Sequence, residues 1–211
     1  AFALILGACR RLGANERFVR DGRWTAAMPY ASLGTRVHGK TLGIIGFGAI
    51  GQAVARRAAG FDMPVCYTSR SRKPDAEAEL GARFVATAEE LVSQADIITL
   101  HTPLTAETRG LVDAELLARC KPGAVLINTG RGPLVDEAAL VEALASGHVF
   151  AAGLDVFENE PEVPDALLAA ESALLTPHIG SATEECRREI VQRGLANIVS
   201  FLETGEPLDR V

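Results

Sequence analysis

Short runs of almost entirely apolar residues recur along the 211-residue chain. They are TLGIIG (41–46), MPVCYT (63–68), ADIITL (95–100), GAVLIN (123–128) and VFAAGLD (149–155). Runs of that length bounded by Gly, Pro or polar residues predict buried strands. Between several of them the apolar positions fall at helical spacing, notably over 136–146 and from about Ile50 to Ala59. Strands alternating with helices predict a parallel sheet covered on both faces, with right-handed crossovers.

The ends of the chain follow other patterns. Residues 1–12 read as an apolar helix, and residues 13–40 mix charge, Gly, Pro and the single Trp without sustained periodicity. So long an irregular stretch is unusual inside a compact domain. Phe18, Trp24 and Tyr30 favour an extended arm that contacts a second copy of the chain, because aromatic anchors are common at interfaces. From 183 to 203 the apolar residues Ile190, Val191, Leu195, Ile198, Val199 and Leu202 recur at helical spacing, and Ser181 with Glu184 fits a capping box. The expected organisation is a linking helix (1–12), an arm (13–40), a sheet domain (41–180) and a C-terminal helical segment (181–211).

The first strand runs into Gly46-Phe47-Gly48-Ala49-Ile50-Gly51. The G-x-G-x-x-G pattern is weak alone but gains force where it leaves a strand and opens a helix. Gly46 makes the tight turn, Gly48 lets the backbone approach a pyrophosphate, and Gly51 lets helix and strand pack closely. The N–H groups of the helix start, at Ala49 and Ile50, then face the anion. This is a dinucleotide cradle.

About 20 residues on, such a unit carries an Asp or Glu for the ribose hydroxyls. Here the second strand ends in YTSRSRK, residues 67–73, with no acid and three cations. A carboxylate repels a 2′-phosphate, whereas an Arg accepts it through a bidentate fork. The segment therefore predicts NADPH, with Arg70 on the phosphate and Ser69 or Ser71 donating a hydroxyl; NAD remains a second cofactor.

Composition narrows the class. A formal charge of −6 argues against a nucleic-acid partner, and no apolar run is long enough to span a membrane. The four cysteines are far apart and form no Cys-x-x-Cys pair, which predicts reduced thiols in a cytoplasmic protein and no metal site.

Three later segments carry the chemistry: INTGRG (127–132), GLDVFENEP (153–161) and LLTPHIGSAT (174–183). Each lies at or beyond a strand end, where open α/β sheets hold their sites. They supply Arg131, Glu160 and His178. A carboxylate beside a His favours the imidazolium and makes it a proton donor, and an Arg fork matches a carboxylate substrate.

With HTPLT at 101–105, these motifs in this order resemble the D-isomer-specific 2-hydroxyacid dehydrogenases, and among them the glyoxylate/hydroxypyruvate and 2-ketogluconate reductases. The resemblance runs almost the whole chain. It implies a Rossmann-type doubly wound fold and NAD(P)H-dependent reduction of a small 2-oxoacid by a homodimer. His178 would be the general acid, Glu160 its partner, and Arg131 the carboxylate ligand. Asp155 would contact the nicotinamide carboxamide, while Thr129, Gly130, Pro103, Thr108 and Gly180 would line the cofactor's path. His101 lies in a family motif without an acid–base role and is read as structural. The resemblance further implies a second, substrate domain formed mostly by residues ahead of Ala1, onto which the terminal helices would pack. Two other readings stay open: a dinucleotide-sensing corepressor-like scaffold, and a phosphite or formate dehydrogenase. Formate enzymes carry Gln where this chain has Glu160, which weighs against that branch.

Overall fold

The computed structural model describes residues 1–25, 27 and 33–209. The chain forms two compact units, Ala1–Pro177 and His178–Val211.

The first unit is built on seven parallel strands: β1 (Leu42–Ile45), β2 (Val65–Thr68), β3 (Ala82–Phe84), β4 (Ile97–Leu100), β5 (Ala124–Asn128), β6 (Val149–Leu154) and β7 (Ala173–Leu175). Their order across the sheet is β3-β2-β1-β4-β5-β6-β7. The sequence runs predict five of these. The edge strands β3 and β7 are three residues each, too short to stand out as apolar runs, and β3 is interrupted by Arg83.

Alternate strand residues feed two cores. Leu42, Ile44, Ile97, Val125 and Ile127 pack on one face with helices α1 (Phe2–Cys9) and α3 (Ala49–Ala58). Ile45, Ile98, Leu100, Leu126 and Leu154 pack on the other. There they meet α5 (Ala88–Gln94), α6 (Ala114–Arg119), α7 (Glu137–Ala145) and α8 (Asp165–Ala169). Both faces are therefore covered, as the near-continuous apolar strands require. Each fully buried Leu or Ile contributes about 1.5–3 kcal/mol.

One expectation about the start of the chain changes. Helix α1 buries Leu4, Ile5, Ala8 and Cys9 within the sheet domain, because the small residues Ala151 and Gly153 of β6 let it lie close; a Cβ at Gly153 would sit 2.9 Å from the Leu4 Cβ. It lies in that domain's helical layer. The expected arm begins as a second helix, α2 (Leu12–Arg20), supported by a Glu16–Arg20 pair one turn apart. Phe18 lies under the Arg23 guanidinium, 5.0 Å from its ring centre, and Trp24 is 65% exposed. Tyr30 lies outside the described residues.

The second unit is dominated by α9 (Glu184–Thr204). Thr183 caps it, accepting from the Cys186 N–H at 3.1 Å. The capping box expected from Ser181 is therefore not formed; the helix starts two residues later, with Glu184 at its first position.

Candidate functional site

Because all strands run parallel, their C-terminal ends share one edge, and the order reverses between β1 and β4. Ligands of open α/β sheets bind at this reversal. The Gly46–Gly51 turn leaves β1 beside it. Gly46 has φ of 96°, and a Cβ there would sit 2.5 Å from the His101 carbonyl carbon. A Cβ at Gly51 would sit 2.3 Å from the Gly46 carbonyl oxygen. A Cβ at Gly48 would meet open space, so that position faces outward for a ligand. Helix α3 starts at Ala49 without a side-chain cap, and Ile50 beside it is 66% exposed. The turn thus fits a pyrophosphate: the backbone is open to it, and the helix start offers N–H donors.

The loop after β2 sets Arg72 apart from the other two cations of YTSRSRK. Arg72 is bound to Glu77, Nε to Oε1 at 2.9 Å and Nη2 to Oε2 at 2.8 Å. The Tyr67 hydroxyl donates to Glu77 Oε1 at 2.7 Å and accepts from the Lys73 N–H at 2.7 Å. Hydrogen bonds from Arg72 and Tyr67 hold the Glu77 carboxyl down to about 2. Ser69 donates its hydroxyl to the Ser71 carbonyl at 2.7 Å, which commits it within the loop. Arg70 and Ser71 are exposed, and among the described residues no hydrogen bond or ion pair holds the Arg70 guanidinium.

Beyond β4, His101 Nε2 lies 3.0 Å from the Thr99 hydroxyl, and burial depresses its pKa to about 4. It is a neutral, packed histidine. Thr108 donates to the Pro103 carbonyl at 2.8 Å and accepts from the Thr105 N–H at 2.7 Å, knitting that loop together.

Beyond β5, the buried Asn128 organises the next loop. Its Nδ2 donates to the Arg131 carbonyl at 2.9 Å, and its Oδ1 accepts from the Gly130 N–H at 3.0 Å. Thr129 and Gly130 are half-buried and Arg131 is exposed. Beyond β6, Asp155 is buried; its N–H donates to the Asn128 carbonyl at 3.0 Å, and its Oδ1 accepts from Thr176 at 2.5 Å. The Glu160 carboxylate accepts from the Phe157 N–H at 3.0 Å, and buried Glu137 accepts from the Glu158 N–H at 2.8 Å. Burial raises the Glu137 pKa above its ordinary value.

The first unit therefore brings Gly46–Gly51, Ser69–Ser71, Pro103, Thr108, Thr129–Arg131, Asp155 and Glu160 to one edge of one sheet. His178 opens the second unit, followed by Gly180; it is exposed and has φ of 53°. A non-glycine residue in the left-handed region is uncommon, and such residues cluster at functional sites.

Sequence reasoning missed Asn128, Thr176, Tyr67, Glu77 and Glu137. A signal existed for two of them, a polar residue ending an apolar strand (Asn128) and a threonine inside a quoted motif (Thr176). The other three act through partners that only the folded chain supplies.

Among the described residues there is no cluster of His, Cys, Asp and Glu that could hold a metal ion, and no helix is long and apolar enough to cross a membrane. All four cysteines are free thiols. Burial pushes Cys9 up to about 12 and Cys120 up to about 11.

Comparison with known proteins agrees with this architecture. The chain is 47% identical over 205 residues to a glyoxylate reductase of Thermococcus litoralis, covering 95% of this chain and 62% of the relative. It is 45% identical over 203 residues to a glyoxylate/hydroxypyruvate reductase B of Escherichia fergusonii, with the same coverage. The chain thus spans about 62% of the length of these curated relatives. Among solved structures it is similar to an NADPH-dependent glyoxylate/hydroxypyruvate reductase of Sinorhizobium meliloti in complex with NADP and malonate. That match has a TM-score of 0.91 and 38% identity, and covers all of this chain and 65% of the other. A glyoxylate reductase of Paecilomyes thermophila gives a TM-score of 0.92 at 43% identity, over all of this chain and 63% of the other. The family model for the D-isomer specific 2-hydroxyacid dehydrogenase, NAD binding domain, matches residues 2–180, and the chain belongs to that family.

Proposed function

We propose that the protein reduces a small 2-oxoacid, of the glyoxylate, hydroxypyruvate or 2-ketogluconate type, to the D-2-hydroxyacid, with NADPH preferred over NADH. The observation that carries this reading is the convergence, on one edge of one sheet, of an open glycine cradle, an arginine without a partner among the described residues, and the loops bearing Arg131 and Glu160. The Sinorhizobium meliloti relative, described as NADPH-dependent and bound to NADP, supports the cofactor choice.

The residues take these parts. Gly46, Gly48 and Gly51 with the N–H groups of Ala49 and Ile50 hold the pyrophosphate. Arg70 and Ser71 take the 2′-phosphate, a cation and a hydroxyl for one dianion. Asp155, fixed by Thr176, orients the carboxamide, and Thr129, Gly130, Pro103, Thr108 and Gly180 line the path. When bound, the nicotinamide supplies the hydride. Arg131 grips the substrate carboxylate and polarises the neighbouring carbonyl. His178 delivers the proton to the carbonyl oxygen as it gains charge, with Glu160 as its carboxylate partner. The protein acts as a cytoplasmic homodimer through the 13–40 segment, a reading that exposed Trp24 and the unpaired thiols support.

The test is steady-state reduction of glyoxylate, hydroxypyruvate and 2-ketogluconate by the purified whole protein, with NADPH and NADH in parallel. Turnover of at least one acid with a lower KM for NADPH is expected. Tight dinucleotide binding without turnover would turn the reading toward a sensing scaffold.

A further inference from the structure

The loop between β2 and α4 (Pro74–Leu80) contains a carboxylate that the reading above leaves unused. Glu77 is only 13% exposed at its side chain and carries a full negative charge next to the segment assigned to a phosphate. Left free, it would repel that phosphate. It is not free. Arg72 grips both of its oxygens, and the Tyr67 hydroxyl donates to one of them.

Tyr67 also ties the loop at two further points. Its hydroxyl accepts from the Lys73 N–H at 2.7 Å, so residue 67 in the strand is fastened to residue 73 at the loop's exit. Arg70 sits midway between these two fastened points. On the other side, the Tyr67 ring stacks on Phe47, with centroids 3.8 Å apart and planes at 18°. Phe47 is a residue of the glycine turn, so one buried tyrosine sets the spacing between the pyrophosphate cradle and the cation-bearing loop. Arg72 in turn lies over the Phe84 ring of β3, 6.0 Å from its centre.

We propose that Tyr67, Glu77 and Arg72 are positioning residues that set the preference for the 2′-phosphorylated nucleotide by bracing the loop that presents Arg70, without themselves touching the phosphate. The proposal rests on the NADPH reading above. Arg72 is committed to neutralising Glu77; among the described residues the Arg70 guanidinium and the Lys73 ammonium have no such partner, and Arg70 is the one carried between the two fastened points. In this proposal the brace acts only through Arg70.

That last point supplies the test. Dissociation constants and KM values for NADPH and NADH, with kcat, are measured on the whole protein for Arg70→Ala, Tyr67→Phe, Glu77→Gln and the double variant Arg70→Ala with Glu77→Gln. Tyr67→Phe keeps the ring on Phe47 and removes only the hydroxyl. Arg70→Ala is expected to weaken NADPH and spare NADH. Tyr67→Phe and Glu77→Gln are each expected to lower the NADPH:NADH preference at least about threefold, with kcat at saturating NADPH unchanged. In the Arg70→Ala background, Glu77→Gln should change the preference no further. The brace is overturned, with the NADPH reading intact, if Arg70→Ala shifts the preference while the other two variants weaken both nucleotides equally. It is overturned equally if the effects of Arg70 and Glu77 multiply, or if Glu77→Gln raises the preference, which would make Arg72 a phosphate ligand. An unchanged preference in Arg70→Ala overturns the NADPH reading and the brace together.

Discussion

Asn128 donates its side-chain amide to the Arg131 carbonyl at 2.9 Å while accepting from the Gly130 N–H, so one buried side chain closes the loop that carries Arg131. Replacing it with Ala takes the acceptor from the half-buried Gly130 N–H and one of two donors from the Arg131 carbonyl, which keeps the Leu134 N–H at 3.2 Å. Asn128→Ala is expected to cost about 1–3 kcal/mol in urea unfolding and to raise KM for the oxoacid more than KM for NADPH. Equal changes in both constants would detach Asn128 from the substrate side of the site.

The three glycines of the turn should respond differently to the same added methyl. At Gly51 the methyl meets the Gly46 carbonyl oxygen at 2.3 Å, so Gly51→Ala must push α3 away from β1. It is expected to destabilise the fold by about 1–3 kcal/mol. At Gly48 the methyl meets no protein atom within 4 Å. Gly48→Ala should leave the thermal midpoint in place and weaken dinucleotide binding, as titration calorimetry would show. A Gly48 variant that binds normally would remove the close approach of a ligand at that position.

His178→Ala should lower the rate of oxoacid reduction by about 10²- to 10⁴-fold, the usual worth of a positioned proton donor, while dinucleotide binding persists. Near-normal single-turnover rates in this variant would rule out His178 as the acid.

The brace at Glu77 has a pH signature. Its carboxyl is held down from 4.5 to about 2, so the folded state releases this proton more readily than the unfolded chain. The stabilisation is fully present above the unfolded value and is lost as pH falls through the folded one. Wild type should therefore lose its stability advantage over Glu77→Gln between those two values, measured as urea midpoints in small pH steps. A gap that stays constant from neutral to pH about 2 would mean the carboxylate is not clamped in solution.

The strand cores and the glycine turn were legible because they depend on local pattern. LGII and the AVLI of β5 are apolar at every position, so they must be covered on both faces, and the parallel sheet follows. Elements whose identity rests on neighbours were not legible. The start 13–20 reads as polar and aperiodic, yet it forms the rest of α2 after the left-handed turn at Arg11. The His148 ring, ahead of β6, finds its partner outside its own segment, and the fold half-buries it with Nε2 3.1 Å from the Leu117 carbonyl.

By itself, the sequence determined the doubly wound sheet, the cradle at Gly46–Gly51 and the absence of an acid immediately after β2, because each is a property of residue type at fixed local spacing. It could not say which of Arg70, Arg72 and Lys73 is spare. Arg72 is excluded by the path of the loop, which lets it reach Glu77 on the next helix while the Tyr67 hydroxyl accepts from the Lys73 backbone N–H. Only the tertiary structure brings those groups together, because a charge pair forms where the backbone delivers both partners within about 3 Å, and sequence distance alone does not deliver them.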